Sequence, residues 1–261
     1  MFIEGDVAEI HYGIGPSWWG QGLVTEAGKA MVNWVVGVSE LAEVTTCCAA
    51  EHVASLRVLD KIGLQLVQLL LPHLYLSATE QKVDAWIYRW KRPVIREITK
   101  DDAQAVLELW RSTWTATYTQ SLGSDVLAGM LADLEAHGTG SMLPETGERG
   151  YCVVSEGVIQ GSVIIAERGN AAYLWGLYIL PECQRHGLGS QLLAAAIGVL
   201  RRAERVEIRV LESSLTARAF YQKHGFREVG KETSELLGSA TVEMIVMEAE
   251  VDTLKAQLER Q

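Results

Sequence analysis

The chain has 261 residues, enough for one large domain or two ordinary ones, and its 48% hydrophobic and 21% charged residues are those of a globular protein. A formal net charge of −10 argues against bulk nucleic-acid binding, which needs a basic field, whereas a cationic partner is drawn to an acidic surface. No apolar run is long and charge-free enough for a membrane span, and the four cysteines form neither a C-x-x-C pair nor a Cys/His metal set. The acidic N-terminus is unlike a signal peptide, so the sequence reads as cytoplasmic.

Taken in order, residues 8–16 read as a strand ended by Pro16, which has no N–H to donate. Gly20 and Gly22 open a helix with Leu23, Ala27, Met31, Trp34, Val35 and Val38 spaced along one face. A strand at 43–49 and a short helix at 54–64 follow. Apolar segments at 66–76 and 83–90 read as a closing pair of strands, and Lys91-Arg92-Pro93 as a linker. A second run then begins with a strand at 94–98. Thr99 with Asp102 three positions on resembles a helix-start box. The helix continues through Ala105, Val106, Leu109 and Trp110, and a second helical stretch covers 125–134. After a glycine-rich loop at 137–150 comes a hairpin at 151–165, turned at Glu156-Gly157. Residues 243–251 read as a last strand and 252–261 as a short frayed helix with Leu254 and Leu258 on one side.

The middle of this second run carries the chemistry. Residues 173–180 are apolar and aromatic, Pro181 stops them, and Leu188, Leu192, Leu193, Ala196, Ile197 and Leu200 recur at helical spacing. Between lies Gln184-Arg185-His186-Gly187-Leu188-Gly189. Its glycines allow close backbone approach, and the first turn of the helix leaves N–H groups without partners at the positive end of the dipole. Such an end suits a pyrophosphate. A strand at 205–211 and a helix ending in Phe220-Tyr221-x-x-x-Gly225-Phe226 follow. The order of strand, glycine loop, helix, strand and glycine-ended helix occurs twice, once with Gly22 and Gly63 and once with Gly187 and Gly225, which points to two diverged copies of one unit.

The strand, proline, Gln-x-x-Gly-x-Gly and amphipathic helix, with Phe-Tyr-x-x-x-Gly-Phe downstream, resemble the acyl-CoA-binding motif of the GCN5-related N-acetyltransferases (GNAT). Trp19-Gly20-Gln21-Gly22-x-x-Thr25-Glu26-Ala27 and Ser55-x-x-Val58-Leu59-x-Lys61-x-Gly63 are similar to the branch that acetylates ribosomal-protein N-termini. His52 stands where that branch has Asn, and Leu59 where the other has its tyrosine. The resemblance implies an α/β (α+β) fold of two GNAT-type mixed-sheet units, the first lacking its N-terminal strands and helices: a partial domain over 1–92, a complete one over 94–250, and a tail over 251–261. An unpaired edge on the first unit's central strand would call for cover by the second domain or by a homodimer.

The same resemblance implies acetyl-CoA as co-substrate and transfer of the acetyl group to a primary amine, small-molecule or peptide, in the second domain, with no metal. The backbone of Leu177, Tyr178 and Ile179 would pair with the pantetheine arm. Gln184, Arg185, His186, Gly187, Leu188, Gly189 and Ser190 would cradle the pyrophosphate, and Ser214 stands where the family often has an Asn on the CoA arm. Tyr221 would donate to the leaving sulfur, since a phenol of pKa ~10 stays protonated beside a thiol of ~8.5. Glu156, Glu167, Tyr118, Tyr173 or a water chain are candidates for the base. Trp110, Trp114, Tyr118 and Trp175 either line the acceptor cleft or pack in the core. Alternatives to activity in the second domain are a non-catalytic acyl-CoA-binding or regulatory tandem module, and a first half that is a peptide N-terminal acetyltransferase completed by dimerisation.

Overall fold

The computed structural model describes residues 1–38, 41–77, 79–136, 142–236 and 240–259. The chain divides into two compact units, Met1–Arg92 and Pro93–Gln261.

The first unit holds, among the described residues, β1 (Phe2–Glu4), β2 (Val7–Glu9), α1 (Leu23–Val38), β3 (Glu43–Ala49), α2 (Val53–Lys61), β4 (Gln65–Leu76) and β5 (Gln81–Lys91), with strand order β1-β2-β3-β5-β4. The strand predicted over 8–16 is shorter than expected. β2 pairs with β3 in parallel over Val7, Ala8 and Glu9 only, and one further bond, Ile10 N–H to the Thr45 carbonyl at 3.0 Å, ends the ladder. The edge expected to be bare is occupied by β1, which folds back on β2 through Gly5 at φ 61.

The apolar face of α1 also differs from the expected one. Val32 and Val35 enter the core, while Leu23, Ala27 and Trp34 face outward. Gly28 decides the orientation: a Cβ there would lie 2.8 Å from Ile62 Cγ2, so the helix closes on α2 along its smallest residue. The Val38 side chain lies outside the described residues.

The second unit holds β6 (Val94–Glu97), α3 (Ala103–Leu122), α4 (Ser124–Ala136), β7 (Glu148–Ser155), β8 (Val158–Arg168), β9 (Ala171–Ile179), α5 (Leu188–Gly198), β10 (Arg205–Leu211), α6 (Leu215–Lys223), β11 (Arg227–Leu236), β12 (Ala240–Glu250) and α7 (Val251–Leu258). Its sheet runs β11-β12-β10-β9-β8-β7-β6, parallel at β9–β10 and antiparallel at its other pairings. Both faces of the middle strands are covered. Leu188, Leu192, Leu193 and Ile197 of α5 pack with Val163, Ile165, Leu174 and Ile208 on one side. Val106, Leu109, Trp110, Trp114 and Met130 pack with Cys152 and Ile164 on the other. Burial on both faces is why β8 is buried without alternation from Ile159 to Ala166, Gln160 and Ser162 included.

The β7–β8 turn is made by Glu156 and Gly157, both at positive φ, as the tightest hairpins require. α3 runs on through 113–118, with the Thr113 hydroxyl bonded to the carbonyls of Leu109 and Trp110. The loop predicted over 137–150 is a strand from Glu148 onward, and 137–141 lie outside the described residues. β11 has no counterpart in the sequence reading: it is a charged edge strand beside β12. α7 is not a frayed tail, because Val251 and the fully buried Leu254 belong to the α5 side of the core; residues 260–261 lie outside the described set.

The start of α3 is fixed by charge. Asp102 accepts from the Thr99 backbone N–H at 2.8 Å and takes both arms of the Arg96 guanidinium at 2.7 Å. These bonds hold the Asp102 carboxyl far below its ordinary range, the Arg96 pairing being the larger cause. A depressed carboxyl stabilises the fold fully above the unfolded value of ~3.9 and loses that contribution as pH falls toward the folded one. Asp102→Asn is therefore expected to cost about 2–3 kcal/mol at pH 7, from the lost cap and charged bonds. Urea melts at pH 7 and pH 3 check this: the gap between wild type and variant should shrink at the lower pH.

Candidate active site

The site begins where two strands part. β9 and β10 pair only at Ala171–Arg205, Ala172–Val206 and Tyr173–Glu207. Beyond Tyr173 the edge of β9 is no longer paired with β10, while its other edge follows β8 through a register shift between Ser162 and Ile164. Gly176, at φ 62, makes the bulge. A Cβ there would lie 3.0 Å from the Trp110 ring. The Trp110 indole N–H donates to Ser162 Oγ at 3.1 Å, and Ser162 donates on to the Gly176 carbonyl at 3.1 Å. Trp110 thus clamps the bend that opens the sheet at Leu177, Tyr178 and Ile179.

The strand leads into one 3-10 turn, Pro181–Cys183, then the glycine loop. Arg185 (φ 65) and Gly187 (φ 82) are left-handed. Gln191 is the first residue of α5 bonded back to the loop, to the Gly187 carbonyl, so the N–H groups of Leu188, Gly189 and Ser190 have no helical acceptor. Leu188 is buried, and Arg185 and His186 are exposed. The Gln184 side chain folds back to donate to the Ile179 carbonyl at 3.2 Å, and His186 Nδ1 lies 3.3 Å from the Cys183 carbonyl. Burial pushes the Cys183 thiol up, the reverse of nucleophile activation. Ser214 sits half-buried at the start of α6 with its hydroxyl capping nothing.

α6 closes on this loop. A Cβ on Gly189 would be 3.3 Å from Phe220 and 3.9 Å from Ile179, so strand end, helix start and α6 meet at one glycine. Tyr221 is buried between Phe220 and Phe226, ring centroids 5.2 and 5.3 Å away. Burial first, and the nearby Tyr118 second, raise its phenol well above the usual value, so it is protonated at neutral pH.

His224 went unread in the sequence, where only the spacing Lys-His-Gly-Phe was used; its place three residues after Tyr221, on the same side of α6, was the available signal. It is fully buried. Its Nδ1 lies 2.8 Å from the Phe220 carbonyl, which can only accept, so Nδ1 carries a hydrogen, and Nε2 lies 2.9 Å from the Ser190 hydroxyl. The imidazole thereby ties the first turn of α5 to the end of α6.

On the opposite face, a cleft of about 300 Å³ lies where β9 and β10 diverge, lined by Arg168, Tyr173, Leu174, Trp175, Glu207, Ile208 and Arg209. Of the aromatic candidates, Trp175 lines it, whereas Trp110 and Trp114 are core residues. Tyr118 is half-buried and bonded to Tyr178, itself stacked edge-on against Trp110. Of the base candidates, Tyr173 lines the cleft and Glu156 is in the distant β7–β8 turn. Glu167 is a structural anchor. Its carboxylate accepts from the backbone N–H groups of Arg201, Arg202 and Ala203 at 3.1, 2.5 and 2.6 Å, which holds its pKa low. Glu207, buried in the cleft, was not anticipated.

The first unit repeats the frame of the second. Gly20 and Gly22 are left-handed like Arg185 and Gly187. The bonds Trp18 to Gly15, Trp19 to Pro16 and Glu26 to Gly22 match Cys183 to Leu180, Gln184 to Pro181 and Gln191 to Gly187. Phe226 bonds to the Tyr221 carbonyl, and Leu64 bonds in the same way to that of Leu59. Leu59, not a tyrosine, fills the buried position.

The sequence matches the description Acetyltransferase (GNAT) family over residues 103–226 and Acetyltransferase (GNAT) domain over residues 2–65. The chain belongs to the GNAT acetyltransferases. Among solved structures it is similar to the PaiA N-acetyltransferase of Thermoplasma acidophilum in complex with coenzyme A, at 20% identity and a TM-score of 0.47, over 60% of this chain and 98% of that one. The ribosomal-protein-S18-alanine N-acetyltransferase of Escherichia coli matches at 17% and 0.45, over 61% and 94%. An acetyltransferase of the GNAT family from Streptococcus pneumoniae matches at 21% and 0.45, over 61% and 99%. No curated protein matches the sequence. Among the described residues no His, Cys, Asp and Glu cluster could hold a metal, and no helix is long and apolar enough to cross a membrane.

Removing the His224 imidazole strands the Ser190 hydroxyl and alters the Phe220 carbonyl. His224→Leu is expected to cost about 1–3 kcal/mol, seen as a Tm drop of about 2–4 °C per kcal/mol for a unit of this size in a thermal melt.

Proposed function

We propose that the second unit of this GNAT acetyltransferase moves an acetyl group from acetyl-CoA to a primary amine by direct attack, with Tyr221 as the acid. One observation carries the reading: the sheet opens at Leu177–Ile179 between a left-handed glycine loop and a buried, protonated Tyr221. The residues present suit the co-substrate. Leu177 and Tyr178 offer backbone to an extended arm, and the unbonded N–H groups of Leu188, Gly189 and Ser190 suit a pyrophosphate. Exposed Arg185 and His186 flank that turn, and to Ser214, at the start of α6, we assign the role suggested for the CoA arm. Gln184 serves by a different route, holding the Ile179 carbonyl and so shaping the loop.

Acetyl-CoA supplies the thioester, whose C–S bond breaks as the amine nitrogen bonds to the carbonyl carbon. Tyr221 donates to the departing sulfur. Because burial disfavours its phenolate, Tyr221 stays protonated and supports the departing sulfur as a hydrogen-bond donor rather than by ionising. The amine enters as a cation and leaves as an amide, releasing one net proton to solvent. Tyr173 and Glu207 border the path by which the amine reaches the opening.

For the first unit we favour a different reading, CoA binding without turnover. It keeps the left-handed loop and the three-residue parallel pairing, yet Leu59 offers no proton where Tyr221 would.

Tyr221→Phe should lower kcat at least tenfold, within the ~10²–10⁴ typical of general acid–base catalysis, while acetyl-CoA affinity by calorimetry stays near wild type. Unchanged kcat would remove the role. Valine at both Gly187 and Gly189 strains the loop and crowds Phe220. That variant should lose turnover and one CoA site, and heat remaining in its titration belongs to the first unit. A silent titration would rule out binding there.

A further inference from the structure

The cleft holds charges of both signs that acetyl transfer alone does not require. Tyr173, Trp175, Glu207 and Arg209 project from the same side of β9 and β10, while Leu174 and Ile208 turn into the α5 core. Arg209 is committed: it sits 2.6 Å from Glu207 Oε1 and 2.5 Å from Glu232 Oε1. That pairing, made through Oε1, fixes the Glu207 carboxylate in the cleft.

Arg168 is the opposite case. Its guanidinium lies over the Tyr173 ring at 5.5 Å. Its nearest carboxylate, Glu148, is 3.9 Å away, beyond hydrogen-bond reach, and the side chain is 67% exposed. A planar fork of five donors, backed by an aromatic ring and otherwise unbonded, matches a carboxylate in two-point geometry. At about 300 Å³ the cleft is at the small end for ligand sites, which suits a molecule the size of one amino acid.

Resting on the acetyl-transfer reading of this same site, we propose that the acceptor is a free amino acid. Its carboxylate binds Arg168 at the rim, and its ammonium is received by the Glu207 carboxylate across the Tyr173 ring. A polyamine would leave Arg168 unmatched. A peptide would bring a neutral amide to the same guanidinium.

The test measures kcat/KM with acetyl-CoA for the L-amino acids and their carboxamides as matched pairs. The carboxamide has the less basic amine and more of it is neutral at pH 7.5, so chemistry alone favours the amide. The expected result is the reverse: for at least one pair the free acid is at least tenfold better. Arg168→Gln, a substitution at an exposed side chain, should then lower the acid's kcat/KM about tenfold and leave the amide's unchanged. Amides equal to or better than acids in every pair, equal slowing of both by Arg168→Gln, or no acid acetylated would each overturn the proposal. Turnover of a carboxylate-free amine, or its absence together with a failure to bind acetyl-CoA, separately decides the acetyl-transfer reading.

Discussion

The geometry of the second unit depends on one departure: β9 leaves β10 after three residue pairs. A parallel pair normally persists because each lost ladder bond leaves backbone groups wanting partners. Here the departure is held by packing. Trp110 fills the space over Gly176, and the chain from indole to Ser162 to the Gly176 carbonyl satisfies the polar groups the bulge would strand. The opening has two sides. One exposes strand backbone toward the glycine loop and α6, and the other makes the charged cleft. A single backbone irregularity thus makes both the opening and the charged cleft across one sheet.

The loop side is braced in the same economical way. Gly189 lets Phe220 approach to van der Waals contact, and the buried His224 joins Ser190 to the carbonyl of Phe220. These contacts bind α6 to the first turn of α5, so the position of Tyr221 is set by the loop that meets the pyrophosphate in our reading. Glu167 plays a matching role at the far end of α5, collecting three backbone N–H groups from Arg201 to Ala203 that would otherwise lack acceptors.

What was legible in the sequence was local. The β7–β8 turn needs two left-handed residues and Glu156-Gly157 supplies them; the Thr99–Asp102 start, the strand at 205–211 and the glycine loop are equally short-range signals. The errors arose where distance in sequence hides contact in space. Glu167 looked like an available base because its three partners lie more than thirty residues away. Glu207 passed unnoticed as a charge in an apolar strand, because its burial depends on Arg209 and on the gap beside Tyr173. Spacing gave α1 a helical period but not its orientation, which the close approach of Ile62 to Gly28 decides. β11 carries too many charges to be read as a strand without its neighbour β12.

The first unit separates what the frame needs from what the chemistry needs. Its loop, its capping bonds and its three-pair parallel ladder match those of the second unit, although its sequence differs at nearly every side chain of the loop. Gly20 replaces Arg185 at one left-handed position, the substitution that costs least in backbone strain. The cradle is therefore a property of the backbone path, maintained by turns and helix-start bonds. Tyr221 is a property of one side chain, and Leu59 shows that the surrounding core accepts an apolar residue there without loss of burial. A phenol in that position is a choice the packing does not dictate. Its presence in the second unit, buried, held protonated and seated against the helix that closes the loop, is what the role we propose for Tyr221 rests on.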